Sequence, residues 1–490
     1  MGAWGGLIVA GLAGGLAVFG FAPFDGFPLP LLALAVLFTL WRRAESAAAA
    51  AKLGFAFGLG LFGVGVRWLY VALHDYGGMA APLAAAAIFL FAAFLALLPA
   101  LAGYVQARLI AAGGAFWVLL MPVCWVAQEL LRGYLFTGFP WLTLGYSQLQ
   151  PSPLAGYAPL LGVYGVSFVL AVSACLLVWF WQERSWRALL SLVLIGLIGA
   201  GLSRVEWTVP VGAPLRVALV QGNIPQERKF EEGQLAGTLA LYRRLVAEAD
   251  AALVVLPETA LPLLREQLPT DYVPSGKTVL AGIFEREGER YYNSVVSFGG
   301  TGLAGDGAAG QHYRKNHLVP FGEFIPLRPV LGVLINDILQ IPMSDLSRGG
   351  EVQPPLALAG QQVALNICYE DVFGEEIIRA LPAATLLVNV TNDAWYGLSD
   401  AAAQHGQISQ MRALESGRML LRATNTGLTA IIDRDGRIQA RLPQHQQGIL
   451  RGSAQGYRGM TPYARWGNGA VALLLLAAWL AAYRWRRHHG

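Results

Sequence analysis

One thiol in this chain stands apart from the others. Cys368 lies in the polar stretch Asn366-Ile367-Cys368-Tyr369-Glu370-Asp371, whereas Cys124 and Cys175, the other two cysteines, sit in long apolar runs where a thiol behaves as a small hydrophobe. Cys368 therefore has no evident disulfide partner. An unpaired thiol in an oxidising compartment calls for nucleophilic chemistry, which needs a base for the thiol and a cation or donor for the oxyanion. Both are available. Glu258 follows the apolar run Val254-Val255-Leu256 and Pro257, a poor place for an unused carboxylate. Lys315, in His312-Tyr313-Arg314-Lys315-Asn316-His317-Leu318-Val319-Pro320-Phe321-Gly322-Glu323, is the natural cation, with Glu323 available to hold it. Taken singly, Cys368 reads better as a buried structural cysteine, Lys315 as a solvated surface lysine and Glu323 as a surface acid than as catalytic groups. The specificity lies in the set and its order.

The other chemistry-bearing residues read more plainly. His312 and His317 flank Lys315, but no cysteine or carboxylate spacing around them matches a zinc site. His405 opens a helix as a cap or core contact, and His488 and His489 belong to the tail. Gly299-Gly300-Thr301-Gly302 lacks the strand-to-helix context and the following Lys-Ser/Thr of a phosphate loop. No metal, nucleotide or organic cofactor is expected.

The elements that must position these residues are of mixed α/β type. Strand-like runs fall at 215–220, 252–256, 278–283, 292–298, 362–367, 386–390 and 428–432, and helical patterns at 231–249 and 404–421. Asp435-Gly436 is a hairpin turn. Glu258 and Cys368 both come at the ends of strands, the usual place for reactive groups in α/β enzymes.

This α/β block sits within a membrane protein. Hydrophobic residues make up 55% of the chain and charged residues only 13%, and the apolar stretches are rich in the Gly and Ala that let helices pack closely in lipid. Of the 31 acidic residues, only Asp25, Glu45, Asp75, Glu129 and Glu183 fall outside 206–465, which marks that segment as a water-facing domain. Apolar segments of spanning length occur near 4–21, 27–41, 53–73, 82–104, 109–131, 158–181, 187–204 and 467–483. The expected organisation is about seven transmembrane helices in 1–205, a catalytic domain in 206–465, and a last helix with a basic tail in 466–490. Arg42, Arg43, Lys52, Arg108, Arg184, Arg187, Arg484, Arg486 and Arg487 all fall on one side if both termini are cytoplasmic. The large domain then faces the periplasm. The first apolar run lacks a basic leader region and leads straight into further spans, so it reads as an anchor.

Glu129 and Arg132 end an apolar helix, either as a functional pair or as a helix-end ion pair reaching the interface. The loop after them, with Gly138-Phe139-Pro140-Trp141, is of a composition that could lie in the headgroup layer. A formal net charge of +4 with dispersed basic residues gives no reason to expect nucleic acid.

Leu256-Pro257-Glu258-Thr259, the Arg314–Glu323 stretch and Cys368-Tyr369-Glu370-Asp371 resemble the Glu-Lys-Cys triad motifs of the nitrilase (carbon-nitrogen hydrolase) superfamily. With the membrane frame added, the chain is similar to that superfamily's membrane-embedded bacterial branch, the apolipoprotein N-acyltransferases. The likeness extends to Val220-Gln221-Gly222-Asn223-Ile224-Pro225-Gln226, Asn392-Asp393-Ala394-Trp395-Tyr396-Gly397, Arg412-Ala413-Leu414-Glu415 and Thr424-Asn425-Thr426-Gly427. It implies an α-β-β-α sandwich beside about eight membrane helices, placed in the bacterial inner membrane. It also implies transfer of the sn-1 acyl chain of a phospholipid, typically phosphatidylethanolamine, through a Cys368 thioester to the α-amine of an apolipoprotein's diacylglyceryl-cysteine. Glu258 would be the base and Lys315 the oxyanion cation, with Glu323 orienting Lys315; Tyr369, Glu370, Trp395 and Glu415 would support the site. Phe230 departs from the family, which often has a tryptophan shaping the acyl pocket there. A membrane-tethered nitrilase-type amidase is the rival enzyme, but it gives no reason for seven spans. A transporter with a soluble regulatory domain would call for paired broken helices and an intramembrane charge chain.

Overall fold

The computed structural model describes residues 3–110, 116–229, 232–274, 276–299, 310–324 and 345–489. They form two compact units. One comprises Met1–Tyr70, Ala80–Glu206 and Pro462–Gly490, the other Val71–Met79 and Trp207–Thr461.

The first unit is helical: α1 (Ala3–Ala17), α2 (Pro28–Arg42), α3 (Ala47–Gly65), α4 (Ala81–Ile110), α5 (Trp117–Tyr134), α6 (Ala158–Glu183), α7 (Trp186–Leu202) and the last helix Gly469–His489. Among the described residues, four stretches are long and apolar enough to cross a membrane: Ala47–Gly65, Ala81–Leu109, Trp117–Thr137 and Pro153–Glu183. Trp4–Gly20, Pro28–Arg42, Trp186–Leu202 and Gly469–Ala481 are apolar but shorter. Glycines set the helix spacing: a Cβ on Gly60 would lie 2.0 Å from the Gly11 carbonyl oxygen, and one on Gly54 2.2 Å from that of Pro99.

The third span begins earlier than the sequence suggested. Ser46 caps α3, its hydroxyl accepting from Ala49 N at 3.1 Å, so the alanine run 47–51 is helix. The helix ends at Gly65, and the π-helical turn Val71–Tyr76 belongs to the second unit. Arg132 and Glu129 are both buried and turn toward the loop after α5. Arg132 donates to the Phe139 carbonyl at 2.6 Å, to the Trp141 carbonyl, and to Thr143 Oγ1 at 3.2 Å. Glu129 Oε1 accepts from Leu144 N at 3.0 Å and from Trp125 Nε1 at 3.2 Å. Residues 140–149 are buried inside the helical unit, where these two side chains satisfy backbone groups that water would otherwise hold.

The second unit is built on two sheets. The strands of the first are β1 (Thr208–Gln221), β2 (Leu253–Val255), β3 (Leu261–Leu264), β4 (Thr278–Glu287), β5 (Arg290–Phe298), β6 (His312–Arg314) and β13 (Gly448–Gly459). They run in the order β13–β1–β2–β4–β5–β6, with β3 beside β4. The strands of the second are β7 (Leu356–Leu358), β8 (Gln361–Ile367), β9 (Leu386–Thr391), β10 (Leu420–Thr424), β11 (Ala430–Ile432) and β12 (Ile438–Arg441), in the order β12–β11–β10–β9–β8–β7. Alternation decides the layers. Val217, Leu219 and Val255 of the first sheet and Leu365, Val388 and Leu421 of the second share one core, so the sheets pack face to face. The first sheet's other face, Ala218, Val220 and Val254, packs on Tyr242, Leu245 and Val246 of α8 (Glu232–Glu248). On the second sheet, Asn366, Asn389 and Arg422 stand in register across the parallel strands β8, β9 and β10.

The helix expected at 404–421 is shorter and followed by a strand. It is α9 (Ala401–Ser416), ended by Gly417 at φ +63°, after which the chain enters β10. Gly417 is packed as well as left-handed: a Cβ there would lie 2.7 Å from Thr208 Cγ2.

Candidate active site

Two sheets contribute to one cluster. Glu258 follows β2 and Lys315 follows β6 in the first sheet, while Cys368 follows β8 in the second. Cys368 has φ +53°, a left-handed backbone uncommon for a residue with a Cβ. It opens a turn of 3₁₀ helix, Cys368–Val372.

Lys315 is 1% exposed, and its Nζ lies 2.9 Å from Glu323 Oε1 and 3.3 Å from Glu258 Oε1. Burial alone would lower its pKa, but Glu258, Glu323 and Cys368 reverse this and hold it well above the ordinary lysine value, so it stays charged. Asn293 on β5 ties the acids together, its Nδ2 donating to Glu258 Oε1 at 2.7 Å and to Glu323 Oε1 at 3.2 Å. Glu323 Oε2 accepts from Val319 N at 2.9 Å. Glu258 Oε2 accepts from Asn392 N, beyond the end of β9, also at 2.9 Å.

The Cys368 thiol is pushed well above its ordinary value, chiefly by burial, then by the Glu258 carboxylate, with Lys315 opposing. It is therefore a neutral thiol at rest and needs a base to act as a nucleophile.

Glu370 joins the loop after Lys315 to the backbone before Cys368. Its Oε1 accepts from Asn316 N at 2.7 Å and His317 N at 3.0 Å, directly after Lys315. Its Oε2 accepts from Ile367 N at 2.6 Å, directly before Cys368, and from the Tyr313 hydroxyl at 3.0 Å. Burial raises Glu370 to about 7 against these donors. Tyr369 packs in an aromatic group with Phe373, at 5.3 Å between centroids, and His317, at 6.0 Å. His317 also bonds Glu376 Oε1 at 2.9 Å.

Trp395 meets the ring of Tyr76 edge-on at 6.3 Å between centroids, a contact to the 71–79 segment that sequence reading did not foresee. Glu415 is fully buried and pairs with Arg412 at 2.9 Å. It stands about ten residues, roughly 15 Å, along α9 from His405, the α9 residue that reaches Cys368. Phe230 lies outside the described residues.

Sequence reading missed several residues here. Lys229 is buried, donating to the Glu258 carbonyl at 3.2 Å and to Thr259 Oγ1; burial lowers it to about 8, opposed by Glu258 and Cys368. His405, expected as a cap or core contact, lies between Asp371 and Asp393, 2.9 Å from each. The Gln221–Gln226 and Thr424–Gly427 motifs are partners. Asn425 Oδ1 accepts from Ile224 N at 2.9 Å and its Nδ2 donates to the Ile224 carbonyl at 2.8 Å. Gln226 Oε1 accepts from Asn392 Nδ2 at 2.8 Å. Paired asparagines in separate motifs were the only sequence signal for this lock.

The arrangement can protect a charged lysine, remove a proton from a partly buried thiol and stabilise an oxyanion beside it. Among the described residues, no group of three or more His, Cys, Asp or Glu is arranged to hold a metal ion.

Comparison with known proteins gives two family matches. The family model described as the apolipoprotein N-acyltransferase N-terminal domain matches residues 13–176, and that described as carbon-nitrogen hydrolase matches 216–455. An apolipoprotein N-acyltransferase of Nitrosomonas europaea is 51% identical over 98% of this chain and 98% of its own. One of Chromobacterium violaceum is 44% identical over 98% of this chain and 94% of its own. The solved CN-hydrolase superfamily protein XC1258 of Xanthomonas campestris aligns at a TM-score of 0.36 and 18% identity, over 50% of this chain and 91% of its own.

Proposed function

The chain belongs to the apolipoprotein N-acyltransferase family and is a membrane acyltransferase, and from that premise we propose that it moves an acyl chain from a phospholipid to an apolipoprotein amine through a thioester on Cys368. The observation that carries this reading is Lys315 Nζ held between Glu323 and Glu258, at 2.9 Å and 3.3 Å, next to a thiol kept neutral by burial.

In the first half, Glu258 takes the thiol proton as sulfur attacks the sn-1 ester carbonyl of the phospholipid, typically phosphatidylethanolamine. The oxyanion forms beside the Lys315 ammonium and the Tyr369 N–H. Collapse breaks the ester C–O bond, Glu258 returns the proton to the leaving oxygen, and a lysophospholipid departs. In the second half the α-amine of diacylglyceryl-cysteine attacks the thioester. Glu258 takes a proton from nitrogen, the C–S bond breaks, and the thiol is reprotonated as the amide forms. Glu323 orients Lys315, Glu370 fixes the two loops, Tyr369 and Trp395 shape the surroundings, and Phe230 contributes to lipid binding; the packing of Glu415 with Arg412 gives it a structural part.

The same premise sets the membrane frame. All eight apolar helices cross the inner membrane, both termini are cytoplasmic, residues 206–465 face the periplasm, and 1–205 and 466–490 are the membrane parts.

The test is intact mass after incubation with phosphatidylethanolamine and no acceptor. One acyl group should appear on wild type, be released by neutral hydroxylamine, and be absent from Cys368→Ala. A diacylglyceryl-cysteine peptide with a free amine should discharge the enzyme, and an N-acetylated one should not. Label on Cys124 or Cys175, or full-rate acylation of the peptide by Cys368→Ala, overturns the reading, and ammonia released from added amides would favour the amidase.

A further inference from the structure

The carbonyl of Cys368 receives two side-chain donors. His405 Nε2 lies 3.2 Å from it and Asn389 Nδ2 lies 3.3 Å from it. The orientation of Asn389 follows from its other bond, since its Oδ1 accepts from Arg422 Nη1 at 2.6 Å and its Nδ2 must therefore face Cys368.

The protonation of His405 follows from geometry in the same way. Its Nδ1 faces Asp393 Oδ1 at 2.9 Å, and its Nε2 faces both Asp371 Oδ1 at 2.9 Å and the Cys368 carbonyl. A neutral imidazole would set a lone pair against one of these acceptors, so both nitrogens carry hydrogen. Arg422 completes the charge balance, with Nη1 3.1 Å from Asp371 Oδ2 and Nη2 3.1 Å from Asp393 Oδ2. Ser409, one turn along α9 from His405, donates to Asp371 Oδ2. Two acids and two cations thus form a buried, electroneutral cluster, two members of which touch one backbone oxygen directly or through Asn389.

That oxygen belongs to the peptide whose other end is the Tyr369 N–H. A donor on a peptide carbonyl draws charge through the amide and makes its N–H a stronger donor, a cooperative effect that is larger in a water-free interior.

We propose that His405 is a positioning residue for acyl transfer, acting as an imidazolium that polarises the Cys368–Tyr369 peptide through the Cys368 carbonyl and so strengthens the Tyr369 N–H toward the oxyanion. The proposal rests on the covalent reading above and assigns His405 no proton transfer; it keeps both hydrogens throughout the cycle. Burial and Arg422 work against the charge on His405, while Asp371 and Asp393 hold its pKa up at about 9.

The experiment follows acyl-enzyme formation by intact mass, using the full chain and phosphatidylethanolamine, from about pH 6 to about pH 10 across the His405 titration. His405→Gln keeps a donor but no charge. It should acylate about tenfold more slowly with unchanged half-saturation by phospholipid, and should lose the alkaline fall centred near 9 in wild type. Asp393→Asn, which removes one of the acids holding the proton, should move that fall to lower pH; a passive structural prop would not. If His405→Gln fails to fold, the Asp393→Asn profile decides alone. Wild-type rates in His405→Gln, or an alkaline fall unmoved in Asp393→Asn, overturn the proposal while leaving the thioester intact. Failure of wild type itself to charge Cys368 overturns the covalent reading, and the proposal with it.

Discussion

The backbone N–H of Asn392 donates to Glu258 Oε2 at 2.9 Å, so the proposed base, carried by one sheet, is oriented by the sheet that carries the proposed nucleophile. Separation of the sheets would misplace Glu258 and Cys368 together. Its other oxygen faces Asn293 and Lys315, both donors.

Glu258→Gln should therefore lose acyl-enzyme formation by about 10²–10⁴-fold, since an amide cannot take the thiol proton and its NH₂ must face a donor. Glu323→Gln, which can still present one oxygen to Lys315, should retain measurable activity. Single-turnover charging of Cys368 in the two variants separates the roles; equal rates in wild type and Glu258→Gln would remove Glu258 as the base.

Glu370→Gln should be more damaging than its isosteric shape suggests. Both carboxylate oxygens accept from two donors, and a Gln would turn its NH₂ toward either Asn316 and His317 or Ile367 and Tyr313. Leaving such buried donors unpaired costs about 1–3 kcal/mol each. A lower melting temperature together with slowed acylation is expected, and a variant that melts and reacts as wild type does would deny Glu370 its linking role.

The His405 cluster ties stability to pH. The folded His405 pKa of about 9 lies above its ordinary value of 6.5, so its contribution is fully present below about 6.5 and is lost as pH rises through about 9. The shift corresponds to roughly 3 kcal/mol. Thermal melts of Cys368→Ala, which removes thiol ionisation, should show a falling midpoint from about pH 7 to about pH 10, and the slope should flatten when His405→Gln is added. A midpoint that stays level in the parent would show that His405 is not held as a cation.

Topology is open to a direct check. A reporter active only outside the cytoplasm should work when fused within 206–465 and fail when fused after Arg487, as expected if the basic loops lie inside. The reverse pattern would overturn the periplasmic assignment.

The parts legible in the sequence were those in which one residue type announces its own environment. A carboxylate after Val254-Val255-Leu256-Pro257 and a thiol after Ala364-Leu365-Asn366-Ile367 marked strand ends, because apolar runs of that length seek a core. What stayed hidden depends on pairing between distant segments. Asn293 was read only as part of a strand at 292–298, yet its amide bridges Glu258 and Glu323. Arg422 lay beside the end of a helix expected at 404–421; Gly417 ends α9 and hands the chain to β10, which places Arg422 in register with Asn389. β13 escaped notice because its Gly-rich sequence, GILRGSAQGYRG, has no sustained apolar alternation and draws its order from β1. The burial of the 140–149 loop was hidden too, since it depends on Arg132 turning inward to bind it.

The left-handed backbone of Cys368, at φ +53°, bears on how this chain could evolve. Any L-residue with a Cβ is opposed there by roughly 1–2 kcal/mol relative to glycine. Drift toward foldedness alone would thus favour a glycine in its place, giving a sturdier protein without the proposed nucleophile. A thiol persists at a site where the backbone favours its loss only while its chemistry is selected. Cys368→Gly should accordingly be inert in acylation yet melt no lower than wild type, and it would serve as a better folded, inactive reference than Cys368→Ala.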